Sequence, residues 1–305
     1  MPEKAQLVVE GKKLAVSNLD KILYPKTGFT KGQVIDYYIR IAPVLLPHLK
    51  DRALTMKRYP DGVEGEFFYE KNCPVHRPKW VKTARVWSDS NNRMMNYCLI
   101  QDLPTLVWAA NLADLELHTS LSRRQNVERP TVMVFDLDPG TPADIVQCCQ
   151  VGLWLRDLLG KIGLESFAKT SGSKGLQVYV PLNTSVNYEQ TKGLSRALAE
   201  HLEGEHGDVV TSNMSKALRK GKVLVDWSQN DQHKTTVCVY SLRAKEEPTV
   251  STPIGWEEVA ICRKKKKADL LKFRSDQVLA RVDKKGDLFK PVEKLKQKLP
   301  KKLGF

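Results

Sequence analysis

At 305 residues the chain is long enough for one large domain or two closely packed ones. Hydrophobic residues make up 41% of it, ample for a core, yet no apolar stretch approaches the ~20 residues that a membrane helix needs. Lys and Arg number 49 against 35 Asp and Glu, a net charge of +14, which favours a polyanionic partner: nucleic acid first, and an anionic membrane only second, because no amphipathic anchor stands out.

The opening "MPEKAQLVVE" lacks the basic-then-apolar order of a signal peptide. Residues 17–31, "SNLDKILYPKTGFTK", read as a loop or short helix with turn signals at Pro25 and Gly28. A helix over 30–49 follows, capped by Thr30, with Val34, Ile35, Tyr38, Ile39 and Ala42 on one face and a kink or stop at Pro43. "RALTMKRYPDG" gives a strand and a turn, and "GEFFYEK" a second short strand. Residues 103–115 read as helical. In 115–123, Leu115, Leu117, Thr119 and Leu121 alternate with Glu116, His118, Ser120 and Ser122, the pattern of a half-buried strand. A strand over 131–137 leads into a helix with Thr141 as N-cap, Pro142 at its first position and Asp144 in its first turn. Then come strand "SFAKT", loop "SGSKG", strand 176–182, a helix near 187–204, a short helix in "SKALRKG", and strands at 222–227 and 235–242. Alternating strands and helices suggest an α/β or α+β sheet with some parallel pairing. The six cysteines (73, 98, 148, 149, 238 and 262) show no disulfide-like spacing and read as mostly reduced, in a cytosolic protein. Basic runs at 263–267 and 294–302 carry part of the charge, but the chain is basic without them.

The chemistry concentrates in "VFDLDPG" (134–140). Residues i and i+2 of a strand share a face, so Asp136 and Asp138 converge, and two such carboxylates repel unless a proton or cation lies between them. The plain alternative is a strand end followed by an Asp-Pro-Gly turn. Asp226 in "VLVDWSQN" repeats the motif of an apolar strand ending in an acid. Three strand-end carboxylates suit one or two Mg²⁺ or Mn²⁺ ions, which take oxygen ligands. "TSGSKG" (170–175) offers backbone N–H groups, the hydroxyls of Ser171 and Ser173, and the charge of Lys174 to an anion, although a Ser/Gly loop is also an ordinary hairpin connection. It is not a P-loop, because a strand rather than a helix follows. "CPVH" at 73–76 has zinc-like spacing but no second pair, and reads as structural.

In this order and spacing, "VFDLDPG", "TSGSKG", "KVLVDWSQN" and "YSLR" (240–243) resemble the primase-polymerase domain of bacterial and archaeal end-joining repair, the ligase D type, in the archaeo-eukaryotic primase superfamily. The resemblance runs from "DKILYP" (20–25) through "KRYPDG" (57–62) and "DLELHTSLSR" to "DQVLARVDKKGDL". It implies an α+β (mixed α/β) fold with a primase-like core of central sheets flanked by helices. Residues 1–293 would form the catalytic domain, in an N-terminal part (1–125) and a catalytic core (126–293) packed as one unit, with 294–305 a basic tail. Asp136, Asp138 and Asp226 match its metal-binding triad. Ser171, Lys174 and Gly175 match its phosphate loop. Lys57, Arg219, Gln229 and Arg243 match polar residues of the nucleotide pocket, and His118 a pocket histidine. Lys21 and Lys31 match a lysine pair for the downstream 5′-phosphate. Phe67 and Phe68 match a template-stacking pair, although "FFYEK" is one residue longer here, so Tyr69 could replace one of them. One departure is Gln177, where the family usually carries histidine; glutamine can bind phosphate but has no transferable proton.

The implied activity is template-directed nucleotidyl transfer onto primer 3′ ends in double-strand-break repair, with two divalent ions (Mn²⁺ or Mg²⁺) and ribonucleotides preferred. Implied ligands are DNA with 5′-phosphorylated ends or gaps and NTP or dNTP. A Ku-like protein and a DNA ligase stand as further partners, with no membrane, in the cytoplasm at the nucleoid. Two other classes remain open: a metal-dependent phosphohydrolase or nuclease using the same aspartates on water, and a non-catalytic nucleic-acid-binding module.

Overall fold

The computed structural model describes residues 4–88 and 92–300. The basic tail's last residues, 301–305, lie outside that range. Strands β1 (Lys4–Val9) and β2 (Lys12–Ser17) form an antiparallel hairpin. They are followed by β3 (Ile22–Tyr24), β4 (Phe29–Thr30), α1 (Lys31–Leu49), β5 (Leu54–Arg58), β6 (Phe68–Glu70), β7 (Thr83–Ser88), β8 (Arg93–Cys98), α2 (Leu103–Asn111) and β9 (Asp114–Thr119). After β10 (Ser122–Arg123) and β11 (Asn126–Pro130) come β12 (Val132–Pro139), α3 (Ile145–Lys161), β13 (Phe167–Thr170), β14 (Leu176–Pro181), α4 (Tyr188–His206), β15 (Val210–Thr211) and β16 (Val223–Asp226). The chain ends through β17 (Thr236–Val237), β18 (Pro253–Ile254), α5 (Trp256–Lys265) and α6 (Ser275–Lys285). No helix among the described residues is long and apolar enough to cross a membrane.

The chain divides into two compact units. The first comprises Met1–Gln125, Thr235–Ser251 and Phe273–Gly286. Its sheet runs β17-β9-β5-β8-β7, with β6 paired to β5, and α1 packs against α2 and α6. Thr30 caps α1 with a reciprocal bond to Gln33, as its sequence position suggests. The helix does not stop at Pro43; it runs through Pro43 and Pro47. Both prolines lie on the exposed face, so the carbonyls that lose a donor lie toward water, while Val34, Tyr38, Ile41, Leu45 and Leu49 stay buried.

Four further expectations change in this unit. The helix expected over 103–115 ends at Asn111, and the strand expected over 235–242 keeps only Thr236–Val237 in the sheet. Nor is β9 half-buried: Asp114 and Glu116 on its polar face are covered too. Cys73 and Cys98 are joined by a disulfide, which corrects the reading of the cysteines as showing no disulfide-like spacing; the four others are buried thiols outside any disulfide. Cysteine usage therefore gives no argument for a reducing compartment.

The second unit comprises Asn126–Lys234, Thr252–Lys272 and Asp287–Phe305. Its sheet order is β15-β16-β12-β14-β13-β18. Every pairing is antiparallel except β15 with β16, so parallel pairing is confined to one edge. Helices α3 and α4 pack against β12, and α5 against α3. The N-cap of α3 is Asp144 rather than Thr141. The Asp144 carboxylate accepts from Val146 N, and Gln147 bonds back to Asp144 N, so the Asp-x-x-Gln box starts the helix three residues later than Thr141-Pro142 suggests.

Candidate active site

The register of the second unit's sheet sets out the acidic site. Asp136 on β12 lies opposite Asp226 on β16 and opposite Gln177 on β14, and Gln177 lies opposite Lys169 on β13. Cross-strand partners share a face, so Asp226, Asp136, Gln177 and Lys169 form one row across four strands, with Asp138 one step along the same face. Lys169 is fully buried and donates from Nζ to Gln177 Oε1 at 2.5 Å, while the Gln177 amide bonds Asp136. Burial pushes the Asp136 carboxyl up to about 6; Gln177 pulls it down, Asp226 raises it, Lys169 lowers it and Asp138 raises it.

The other two carboxylates have local partners. Asp138 Oδ2 lies 3.3 Å from Arg219 Nη1, whose Nη2 donates to the Met214 carbonyl. Asp226 accepts from Ser228 N and Oγ and from Gln229 Nε2 at 2.8 Å. Among the described residues no group of three His, Cys, Asp or Glu is drawn tightly enough together to hold a metal ion. The donor set itself, three carboxylates on one face with the central one desolvated, suits a hard divalent cation. A Cβ at Gly140 would come within 1.8 Å of the Arg219 carbonyl, so glycine here lets the Arg219 segment close over the end of β12.

The loop after β13 is closed on itself. Ser171 Oγ accepts from Ser173 N at 3.2 Å and Gly175 N at 3.1 Å, so two N–H groups expected to face an anion turn toward that hydroxyl. Lys174 is exposed at the tip. Gly175 is required by close approach, because a Cβ there would lie 2.1 Å from the Leu137 carbonyl.

In the first unit, Lys57, His118 and Arg243 gather around the buried Glu116. Lys57 Nζ also lies over the rings of Phe67 (4.3 Å), Tyr59 (5.3 Å) and Tyr69 (5.4 Å). Tyr69 meets the edge of the His118 ring at 6.0 Å. Phe67 and Tyr69 are therefore on one side of β6, whereas Phe68 turns away over Arg58, which pairs with Glu70. Lys21 and Lys31 are also neighbours, through Lys31 N bonded to the Lys21 carbonyl. Lys21 pairs with Asp61, and Lys31, only 6% exposed, donates to the Ser17 carbonyl. Burial, then the like charges of Lys21 and Arg58, lower Lys31 to about 8.

Sequence reasoning missed three residues around these groups. Lys169 was findable: a hairpin closing around 171–175 sets Lys169 opposite Gln177. Glu116 is two residues from His118 and so shares its face, but an alternating strand makes that face read as solvent-exposed. Asn230 carries no sequence signal, yet its amide accepts from Val134 N and donates to the Val134 carbonyl, bracing β12 beside Asp136.

The model of the LigD primase-polymerase domain family matches residues 30–289. The chain belongs to this family. It is 40% identical over 283 residues to the multifunctional non-homologous end joining protein LigD of Mycolicibacterium smegmatis, covering 92% of this chain and 36% of that protein. It is 34% identical over 275 residues to the bifunctional non-homologous end joining protein LigD of Bacillus subtilis, covering 90% of this chain and 43% of that protein. The chain thus spans less than half the length of these relatives. A solved polymerase domain from Mycobacterium tuberculosis ligase D, in complex with DNA, superimposes with a TM-score of 0.85 at 38% identity, over 92% of this chain and 98% of that one. The α+β fold is that of this polymerase domain.

Proposed function

We propose that this chain is the nucleotidyltransferase of an end-joining system, extending primer 3′ ends on templates bridged or gapped at a DNA break. The observation that carries this reading is the cross-sheet row: Asp226 opposite Asp136, with Asp138 on the same face, in a chain of the LigD primase-polymerase family. Asp136, Asp138 and Asp226 are the residues for two divalent ions, Mn²⁺ or Mg²⁺. Bound there, such ions lower the pKa of the primer 3′-hydroxyl and neutralise the triphosphate. Lys169 holds Gln177, and Gln177 holds Asp136, so the carboxylate presents a fixed oxygen from the strand. Ser171 and Gly175 shape the loop that sets Lys174 against the nucleotide's phosphates. Arg219 and Gln229, already bonded to Asp138 and Asp226, keep those carboxylates on the working face. Lys57, His118 and Arg243 complete the nucleotide's surroundings, Phe67 and Tyr69 offer the rings on which a template base stacks, with Phe68 on the reverse side, and Lys21 and Lys31 take the 5′-phosphate. Ribonucleotides are the preferred substrates. A Ku-like protein and a DNA ligase are partners in the same repair, in the cytoplasm at the nucleoid. Residues 1–293 act together as the catalytic domain, with 294–305 as a basic tail.

The test is incubation of a gapped, 5′-phosphorylated DNA with each NTP and dNTP, with and without Mn²⁺. Primer growth that requires the ion is expected. Loss of strand or phosphate favours hydrolysis by the same aspartates, and binding without growth favours a non-catalytic module.

Two smaller effects follow from the loop and the lysine pair. Lys174→Ala removes one point charge from an exposed loop tip, so nucleotide KM should rise by about tenfold with DNA affinity little changed. Steady-state kinetics beside a DNA titration checks this; weakened DNA binding at constant KM reassigns the loop to nucleic acid. Lys31 loses its charge as pH rises through about 8. The preference for a 5′-phosphate over a 5′-hydroxyl end should therefore fall between about pH 7 and 9, although the phosphate itself is already doubly charged above its second pKa of about 6. In Lys31→Arg the preference should persist to high pH, since guanidinium stays charged. A preference that is flat with pH in the wild type removes Lys31 from the 5′-phosphate site.

A further inference from the structure

The sequence motif "DLELH" contains an acid to which no role has been assigned, and the structure puts that acid at the centre of the first unit's cationic cluster. Glu116 Oε2 lies 3.0 Å from His118 Nε2, 3.4 Å from Arg243 Nε and 3.6 Å from Lys57 Nζ, and Oε1 accepts from Ala244 N at 3.0 Å. Two cations and a histidine thus converge on one carboxylate: Lys57 on β5, Arg243 after β17, and His118 on β9, the strand of Glu116 itself. The register fixes part of this, because Lys57 lies directly opposite Glu116 and Thr55 opposite His118.

Exposure separates the two signs of charge. The Glu116 side chain is 2% exposed, whereas those of Lys57, His118 and Arg243 keep 13%, 14% and 14%. An anion arriving from solvent meets the cations and not the acid beneath them. Without that acid Lys57 and Arg243 would repel each other, His118 would lose its acceptor, and the three need not share one geometry.

We propose that Glu116 is a positioning residue that gathers Lys57, His118 and Arg243 into one preassembled anion subsite for the phosphates of the incoming nucleotide. The proposal rests on the reading that these three residues serve the nucleotide. Glu116 is suited to the task because it is a stable anion. Burial raises its carboxyl, but the hydrogen bond from His118 and the charges of Arg243 and Lys57 hold it well below the usual range.

The same contact fixes the imidazole. The groups facing His118 are Glu116 on its own strand, Lys57 on β5, Arg243, and the ring of Tyr69 on β6. Burial lowers the His118 pKa, opposed by the bond to Glu116 and its charge, and reinforced by Arg243 and Lys57. Near neutral pH the ring is therefore neutral with its proton on Nε2, aimed at the carboxylate. Glu116 keeps the ring in that tautomer and orientation as a carboxylate does for a histidine ligand.

The experiment uses the intact chain with gapped, 5′-phosphorylated DNA and ATP or GTP, comparing wild type, Glu116→Gln, Glu116→Asp and Lys57→Ala. Two quantities are read: KM against kcat for the nucleotide, and the His118 imidazole resonances by NMR across pH, assigned with His118→Ala. Glu116→Gln keeps the shape and removes the charge, so KM should rise by about tenfold or more while kcat stays within about threefold. The His118 resonances should move, and its pKa should fall further, because the anion that raises it is gone. Glu116→Asp restores the charge at a shorter reach and should recover part of both effects; it also serves as the informative variant if the glutamine form does not fold. Unchanged KM and unchanged His118 resonances in a folded Glu116→Gln overturn the positioning role. Nucleotide KM unchanged in Lys57→Ala overturns instead the underlying assignment of the cluster to the nucleotide, and the proposal with it.

Discussion

Asp136→Ala, Asp138→Ala and Asp226→Ala should each reduce primer extension by roughly a thousandfold or more, the several kcal/mol that a catalytic cation supplies to the transition state. DNA affinity should stay within about threefold, because each substitution removes an acid from a strongly basic chain and leaves the Lys and Arg contacts in place. The three variants should also differ in a way the geometry dictates. Asp138 is exposed at the strand end and pairs, among the described residues, with Arg219 alone, so its loss should leave stability nearly unchanged. Asp136 is half-buried and bonds the buried amide of Gln177, so its loss frees an amide that burial leaves without an acceptor, and that variant should melt earlier. Single-turnover extension, DNA titration and thermal melting on the same three proteins check all of this. Wild-type-like extension by any one variant removes that residue from the catalytic set.

Asn230→Ala should be the most destabilising single change near the site. After Asp226, β16 gives way to a single 3-10 turn over Trp227–Gln229, and the strand no longer lines β12. Asn230 takes over: its Oδ1 accepts from Val134 N at 2.8 Å, and its Nδ2 donates to the Val134 carbonyl at 2.7 Å, to Trp227 O at 2.9 Å and to Ser195 Oγ at 3.0 Å. The side chain is fully buried, so alanine leaves a strand N–H and C=O without their side-chain partner. A cost of about 3 kcal/mol follows from the lost bonds and the desolvated groups. Because the same amide ties the turn after Asp226 to β12, extension should also fall, through misplacement of that carboxylate. Denaturant midpoints with activity measured well below the transition separate the two effects. A midpoint equal to wild type would mean that Val134 finds another partner.

The local signals in the sequence carry the elements far better than the contacts between them. Asp136, Asp138 and Asp226 are legible because each ends an apolar run, and the helix at Thr30 because Thr-x-x-Gln is a complete capping box. The start of α3 is misread because Thr141-Pro142 imitates a helix opening, while Asp144 makes the two reciprocal bonds that start one. Glu116 is misread for a different reason. Alternation says only that two faces differ; it does not say that the polar face is buried. That depends on Lys57 and Arg243, which are far away in sequence and reach Glu116 only when β5 and β17 pair with β9. The Cys73–Cys98 bond is of the same kind, 25 residues apart with no spacing rule to mark it. The proposed template pair is half legible: "FFYEK" supplies the rings, but strand alternation puts Phe67 and Tyr69 on one side and Phe68 on the other, so adjacency in sequence is misleading.

The most direct measurement of the central claim is the identity of the nucleotide added across a one-base gap. Four gapped duplexes, each with a downstream 5′-phosphate and a different template base, are offered all four NTPs with Mn²⁺, and the extended strand is sequenced. Each primer should grow by one residue, and the added base should follow the template base in all four. Primers that shorten, that stay unchanged while bound, or that gain the same base whatever the template, would contradict that claim.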